Sequence, residues 1–146
     1  MRMRKMKNLD VRMERCAALR IAEPAALKGA WRSLKPDATQ LWVEVGCGKG
    51  KFTAETAAAN PDVLMIAVER CREAMVVAME KAQSMKLTNV FYIDMDVANI
   101  EEIFAGEEID RLFINFTLTK FFQDCPMVEL LSNHFPLMST RLTTTV

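Results

Sequence analysis

Four short apolar runs, at residues 41–45, 63–68, 90–93 and 112–116, are separated by helical or turn-rich segments. Continuous apolar runs are typical of parallel strands, which are buried on both faces. The segments between them have the apolar spacing of helices at residues 51–59 and 71–86, and of a short helical turn at 100–104. This alternation predicts an α/β domain built on a parallel sheet.

Three glycines follow the first strand at alternate positions, Gly46, Gly48 and Gly50, and Glu44 lies inside the strand end. Glycine permits backbone angles that a Cβ forbids and lets a ligand lie against the main chain. A dinucleotide fingerprint, G-x-G-x-x-G, would need a third glycine at Lys51, which disfavours a nicotinamide-dependent oxidoreductase. The alternative without a ligand is a tight strand-to-helix turn. The pattern E-x-G-x-G-x-G resembles the first motif of class I S-adenosylmethionine (SAM) methyltransferases.

Acidic residues also follow the second and third strands. Glu69 ends the second strand, where a carboxylate can accept hydrogen bonds from both ribose hydroxyls of an adenosine. Asp96 follows the third strand and is the candidate for the adenine edge, ahead of its neighbour Asp94. For Glu69 the alternative is an ordinary helix-capping or surface carboxylate. Ligands bind at the carboxyl edge of open parallel sheets, so these acids and the glycine loop predict one crevice.

The N-terminal segment is basic, whereas the rest of the chain is acidic. Residues 1–35 hold ten Lys or Arg against three Asp or Glu, and the formal net charge of the 146 residues is zero. Arg2, Arg4, Lys5 and Lys7 are candidates for nucleic-acid phosphate contacts, and a frayed, solvated terminus is the alternative. A short helix is predicted over residues 25–34, with its tryptophan packed on the sheet. The predicted organisation is a basic arm and pre-domain helix (1–38), a SAM-binding half-domain (39–116) and a divergent tail (117–146).

Composition excludes several classes of protein. No run of about 18 apolar residues could cross a membrane, and residues 1–7 lack the apolar stretch of a signal peptide, so a cytoplasmic protein without a membrane partner is expected. Four cysteines without a C-x-x-C pair and a single histidine do not form a zinc pattern, so no metal is expected and the thiols are predicted to be reduced.

Taken together, the motifs resemble the bacterial tRNA (guanine-N7-)-methyltransferases. The stretches that carry the resemblance are 1–5 (MRMRK), 26–32 (ALKGAWR), 43–50 (VEVGCGKG), 58–62 (AANPD), 68–69 (VE), 93–96 (IDMD), 102–104 (EIF) and 110–116 (DRLFINF). The resemblance implies a Rossmann-like class I methyltransferase fold and a monomeric enzyme. It also implies SAM held by Glu44, the glycine loop, Glu69 and Asp96, and a guanine in the tRNA variable loop as methyl acceptor.

The resemblance ends after Phe116. Leu118 stands where the family has an aspartate, and the Pro-Trp and the basic run that follow in the family are absent. The abrupt change predicts a shifted reading frame or a truncated sequence. With four of the usual seven strands, the fold would be incomplete. The fourth strand would be an apolar edge open to self-association unless the apolar tail partly covers it. Two functions therefore remain open, an active methyltransferase and a non-catalytic remnant that binds SAM or tRNA.

Overall fold

The computed structural model of the chain describes residues 5–114 and 139–142, in which five strands form one parallel sheet. The strands are β1 (Gln40–Val45), β2 (Val63–Glu69), β3 (Val90–Asp94), β4 (Arg111–Ile114) and β5 (Ser139–Leu142), in the order β3-β2-β1-β4-β5. The helices are α1 (Leu9–Arg15), α2 (Lys51–Ala59) and α3 (Arg72–Ser84). The predicted α/β class with a parallel, Rossmann-like sheet is confirmed.

Strand β1 lies at the centre of the sheet. It pairs with β2 from Gln40 opposite Val63 to Val45 opposite Val68, and with β4 from Trp42 opposite Arg111. Residues 41–45 and 63–68 are buried without exception, because both faces of these strands are covered. This double burial explains why the strands are continuous apolar runs rather than alternating ones.

One face of the sheet is covered by 3₁₀ segments. Trp31 is fully buried, stacks on Phe104 with ring centroids 5.0 Å apart, and donates its indole N–H to the Ile103 carbonyl at 2.7 Å. The strand residues on this face are Leu41, Val43, Val45, Leu64, Ile66, Val68, Ile93, Leu112 and Ile114. The predicted packing of the tryptophan onto the sheet is thereby confirmed.

The opposite face is covered by the three α-helices. The helices predicted over 51–59 and 71–86 are confirmed, as α2 and α3. The residues of α3 that are buried against the sheet are Met75, Val76, Ala78, Met79 and Ala82, whereas Met85, just beyond the helix, is exposed.

The helix predicted over residues 25–34 is wrong. Two 3₁₀ segments, Pro24–Leu27 and Trp31–Leu34, flank Gly29, which has a φ of +78° and interrupts helical geometry. The Glu108 carboxylate accepts hydrogen bonds from the backbone N–H groups of Gly29 at 3.0 Å and Trp31 at 3.1 Å. This carboxylate fixes the bent segment to the body of the domain.

Helix α1, which the pattern did not predict, docks on α3 through ion pairs. Arg12 donates from Nε and Nη2 to the two carboxylate oxygens of Glu80, at 2.7 and 2.6 Å. These bonds hold the pKa of Glu80 below its usual value. Asp10 in the first turn of α1 pairs with Arg72, the first residue of α3, at 3.2 Å. The two helices therefore run in the same direction, with their N-terminal ends together.

The edge predicted at strand four is covered by the tail over the four residues of β4, which is the alternative that the sequence left open. Each of these residues is paired in parallel with β5, from Arg111 opposite Ser139 to Ile114 opposite Leu142. The apolar β4 is therefore an internal strand along this stretch, and self-association through its edge loses its structural basis. Oligomeric state and the three segment boundaries remain predictions. The change in sequence after Phe116 lies outside the described residues.

Gly50→Ala should destabilise the fold more than Gly29→Ala. Both glycines have nearly the same φ, +80° and +78°, so alanine costs about 1–2 kcal/mol of backbone strain at either site. A Cβ at Gly50 would also lie 2.8 Å from the Ala78 Cα, whereas a Cβ at Gly29 meets nothing within 4 Å. Overpacking should add roughly 1–3 kcal/mol at Gly50. Urea unfolding measures both losses, and equal losses would contradict the prediction.

Candidate functional site

The carboxyl ends of β1, β2 and β3 meet at one edge of the sheet. Glu69, the last residue of β2, is in register with Asp94, the last residue of β3. The loop of Gly46 to Gly50 leaves β1 at the same edge and leads into α2. The structure therefore brings the acids predicted at the strand ends and the glycine loop together in one region.

The glycine loop has positive φ angles at Gly46 (75°), Gly48 (56°) and Gly50 (80°). The three glycines differ in their surroundings. Gly46 donates its N–H to the Val68 carbonyl at 2.8 Å, which ties the loop to β2. Gly50 begins α2 in close contact with Ala78 of α3. At Gly48 a Cβ would meet no atom within 4 Å, so open space borders the backbone there.

Glu69 joins the loop to α3. Its Oε2 accepts the Gly48 N–H at 2.8 Å, and its Oε1 accepts the N–H of Cys71, the residue before α3, at 3.0 Å. A carboxylate has about four lone-pair sites, so two bonds leave it able to accept further donors. Glu69 is half-buried, and it is therefore both anchored and accessible.

The two aspartates beyond β3 differ in their partners. Asp94 is mostly buried and lies 3.6 Å from Arg20 and 3.5 Å from Arg72. Asp96 is exposed, caps the segment Val97–Glu102 by accepting the Ala98 N–H at 3.0 Å, and is 3.8 Å from Arg70. Because two guanidinium groups surround Asp94, Asp96 remains the better candidate for a ligand contact.

Glu44 lies beneath the loop rather than at its surface. It is fully buried, and its Oε2 accepts a hydrogen bond from the hydroxyl of Thr53, which is fully buried in α2. Sequence reasoning missed Thr53. The available signal was a hydroxyl in the first turn of an otherwise apolar helix face, where Ala54 and Ala57 are its buried neighbours.

The thiol of Cys47 shares this environment. Burial and the neighbouring carboxylates of Glu44 and Glu69 raise the pKa of Cys47 well above its usual value, so the thiol is neutral near pH 7. Burial similarly raises the pKa of Cys16 and of the Tyr92 hydroxyl. A neutral thiol places no further negative charge beside the two acids.

The remaining predicted site residues lie at the N-terminus or outside the described part of the chain. Lys5 and Lys7 are exposed just before α1, whereas Arg2, Arg4 and Leu118 fall outside residues 5–114 and 139–142. Within these ranges, no three or more His, Cys, Asp or Glu side chains are grouped to hold a metal ion. No helix in this part of the chain has the length and apolar content to cross a bilayer.

A protein-family comparison matches residues 38–118, which include β1 to β4, with the family described as "Putative methyltransferase". The chain belongs to this methyltransferase family. The resemblance inferred from the motifs is confirmed, since the chain is also similar to curated tRNA (guanine-N(7)-)-methyltransferases. Identity is 40% over 97 residues to that of Halalkalibacterium halodurans (66% of this chain, 44% of the relative) and 31% over 117 residues to that of Bacillus subtilis (80% and 55%). The chain thus spans about half the length of these methyltransferases.

Solved structures show the same fold. The antibiotic-resistance methyltransferase Kmr superposes with a TM-score of 0.60 at 19% identity, over 81% of this chain and 66% of that one. TrmN from Thermus thermophilus gives a TM-score of 0.60 at 15% identity, over 93% and 37%. The parallel sheet of this methyltransferase-family chain is therefore the methyltransferase fold, and its carboxyl edge is the place to seek a cofactor.

The residues at this edge fit SAM, the methyl donor that the family implies. The open space beside Gly48 allows close approach to the main chain, and the accessible Glu69 carboxylate suits a ribose. SAM, when bound, supplies an electrophilic methyl group on a sulfonium. The exposed backbone at Gly48 and the carboxylate acceptor of Glu69 would bind and orient such a ligand.

Stability should fall as pH rises above about 9, because the buried Cys47 thiol stays protonated in the folded state after the unfolded thiol ionises. A thiol whose pKa is higher in the folded state than in the unfolded state contributes its full stabilisation below the unfolded-state pKa. This contribution is lost as the pH rises towards the folded-state pKa. Each such group contributes a slope of about 1.4 kcal/mol per pH unit. In urea unfolding at pH 8 to 10.5, the free energy of unfolding should fall less steeply with pH for Cys47→Ala than for wild type. Parallel curves for wild type and Cys47→Ala would exclude this contribution.

Proposed function

We propose that this chain uses SAM to methylate N7 of a guanine in the variable loop of tRNA. The observation that carries the proposal is the bond from the Gly48 N–H to the Glu69 carboxylate, which joins the two signature elements of a cofactor crevice. The similarity to proteins named tRNA (guanine-N(7)-)-methyltransferase supports the choice of substrate. A tRNA substrate in turn supports a cytoplasmic location.

The proposed cofactor contacts follow from the geometry of the edge. Gly46, Gly48 and Gly50 form the backbone surface under the ligand, Glu69 accepts the ribose hydroxyls, and Asp96 lies at the adenine edge. Glu44 supports the loop from below through Thr53. Each of these roles uses a hydrogen-bonding group that the structure already holds in place.

Guanine N7 suits the sparse chemistry of this edge. The atom already presents a lone pair, so methyl transfer needs no base to remove a proton. Catalysis then depends on alignment of donor and acceptor, and on surroundings that tolerate positive charge developing on the base.

The position of the basic arm supports a nucleic-acid substrate. Helices α1 and α3 are aligned with their N-terminal ends together, and α3 begins just after Glu69, at the crevice. The exposed Lys5 and Lys7, just before α1, therefore lie toward the same edge. Cations there would contact the phosphates of an RNA whose base enters the crevice.

A second function, binding of SAM or tRNA without turnover, is favoured by the leucine at position 118. The resemblance places an aspartate of the family there, and Leu118 has no carboxylate to contact cofactor or target. The two functions share the cofactor site and differ in methyl transfer.

The wild-type chain should bind SAM saturably in a calorimetric titration, and Glu69→Gln should weaken binding. The substitution replaces one charged acceptor oxygen with an amide, which should cost about tenfold or more in affinity. Glu55→Gln, at an exposed glutamate on α2, is the matched control and should bind as wild type. Absence of wild-type binding, or equal affinity of Glu69→Gln, would refute the proposed cofactor site.

Methyl transfer should distinguish the two functions. With labelled SAM and an unmodified tRNA transcript, the enzyme should label the RNA, and replacing the variable-loop guanine by 7-deazaguanine should abolish labelling because N7 is then missing. SAM binding without any labelled RNA would favour the non-catalytic function. Equal labelling of the 7-deaza transcript would show that another atom is the acceptor.

A further inference from the structure

We propose that Thr53 is a positioning residue of the cofactor site, which acts through Glu44 to hold the glycine loop. The inference rests on the proposed function, since it adds a residue to the same SAM site. Thr53 lies in the helix that follows the loop and faces the protein interior, so it would not itself contact the ligand. Its effect is transmitted by one hydrogen bond.

The bond closes the loop at its base. Glu44 is the second-last residue of β1, and Thr53 is the third residue of α2. The hydroxyl of Thr53 donates to the Glu44 carboxylate, so the elements on either side of Gly46–Gly50 are joined directly. A loop whose ends are fixed has fewer conformations to lose when a ligand orders it.

The burial of Glu44 makes hydrogen-bond donors to its carboxylate stabilising. A fully buried carboxylate costs free energy unless donors replace the water that it has lost. The equally buried Thr53 hydroxyl is such a donor, on a helix face otherwise formed by alanines. The threonine at this position therefore serves as a hydrogen-bond donor to Glu44 rather than as an apolar packing residue.

Glu44 and Glu69 hold the loop from two sides. Glu69 bonds to the Gly48 N–H from β2, and the Glu44–Thr53 pair ties β1 to the first turn of α2. Loss of the Thr53 hydroxyl would leave the Gly48–Glu69 bond intact and would remove the bond between β1 and α2.

Two substitutions separate the hydroxyl from the methyl group of Thr53. Thr53→Val keeps the shape and removes the donor, whereas Thr53→Ser keeps the donor and removes a methyl group. Thr56→Val makes the same chemical change at a half-buried position of the same helix and is the control. Each variant is measured by amide hydrogen exchange of residues 44–52 without ligand, and by calorimetric titration with SAM.

Thr53→Val should exchange about tenfold faster in this segment and bind SAM about tenfold more weakly, because it loses a hydrogen bond to a charged group. Thr53→Ser should stay within about threefold of wild type in both measurements, even if it unfolds more easily. Thr56→Val should match wild type. If Thr53→Ser is as impaired as Thr53→Val, or if Thr53→Val behaves as wild type, the positioning role is overturned.

If Thr53→Val does not fold, the test is repeated in a Glu44→Gln background, which removes the buried negative charge. In a Glu44→Gln background, Thr53→Val should still raise exchange of residues 44–52 relative to Glu44→Gln alone, since the amide oxygen also accepts the hydroxyl. An unchanged rate would overturn the inference. If wild type does not bind SAM, the proposed function fails, whereas the exchange measurements still decide whether Thr53 holds the loop.

Discussion

Parallel pairing on both sides of β1 is the constraint on which the rest of the structure depends. The register with β2 brings Glu69 to the level of the glycine loop, and the register of β2 with β3 brings Asp94 beside it. Because all strands point the same way, their carboxyl ends share one edge. A slip of one residue between β1 and β2 would turn the side chains at the end of one strand to the opposite face and separate Glu69 from Gly48.

The carboxylates of Glu69 and Glu44 at this edge both accept hydrogen bonds from the protein. Glu69 takes two backbone N–H groups, and Glu44 takes the Thr53 hydroxyl. These donors offset the cost of removing carboxylates from water, and they also fix where the acids point. The same hydrogen bonds therefore hold the loop rigid and fix the positions of the acids.

The sequence predicted the parts of the fold that local pattern determines. The apolar runs predicted β1 to β4, and the spacing of apolar residues over 51–59 and 71–86 predicted two helices. Both signals can be read from the sequence because buried positions recur with the period of the element. Strand β5, with the sequence STRL, carries no such run, and pairing with β4 defines it instead. Helix α1 is short and charged, and it depends on the bond of Arg12 to Glu80, 68 positions away. The role of Thr53 was not predicted for a similar reason, since it depends on the contact of its helix face with Glu44 in the folded domain.

The two tryptophans report on different sides of the molecule. Trp31 lies under the 3₁₀ layer against Phe104, whereas Trp42 lies on the other face, where Phe113 and the Arg111 guanidinium contact its ring. Because the sheet separates the indoles, a protein with one of them replaced by phenylalanine would give a fluorescence signal from a single layer. The chain therefore carries its own pair of optical probes, which can show whether the two layers melt together or in turn.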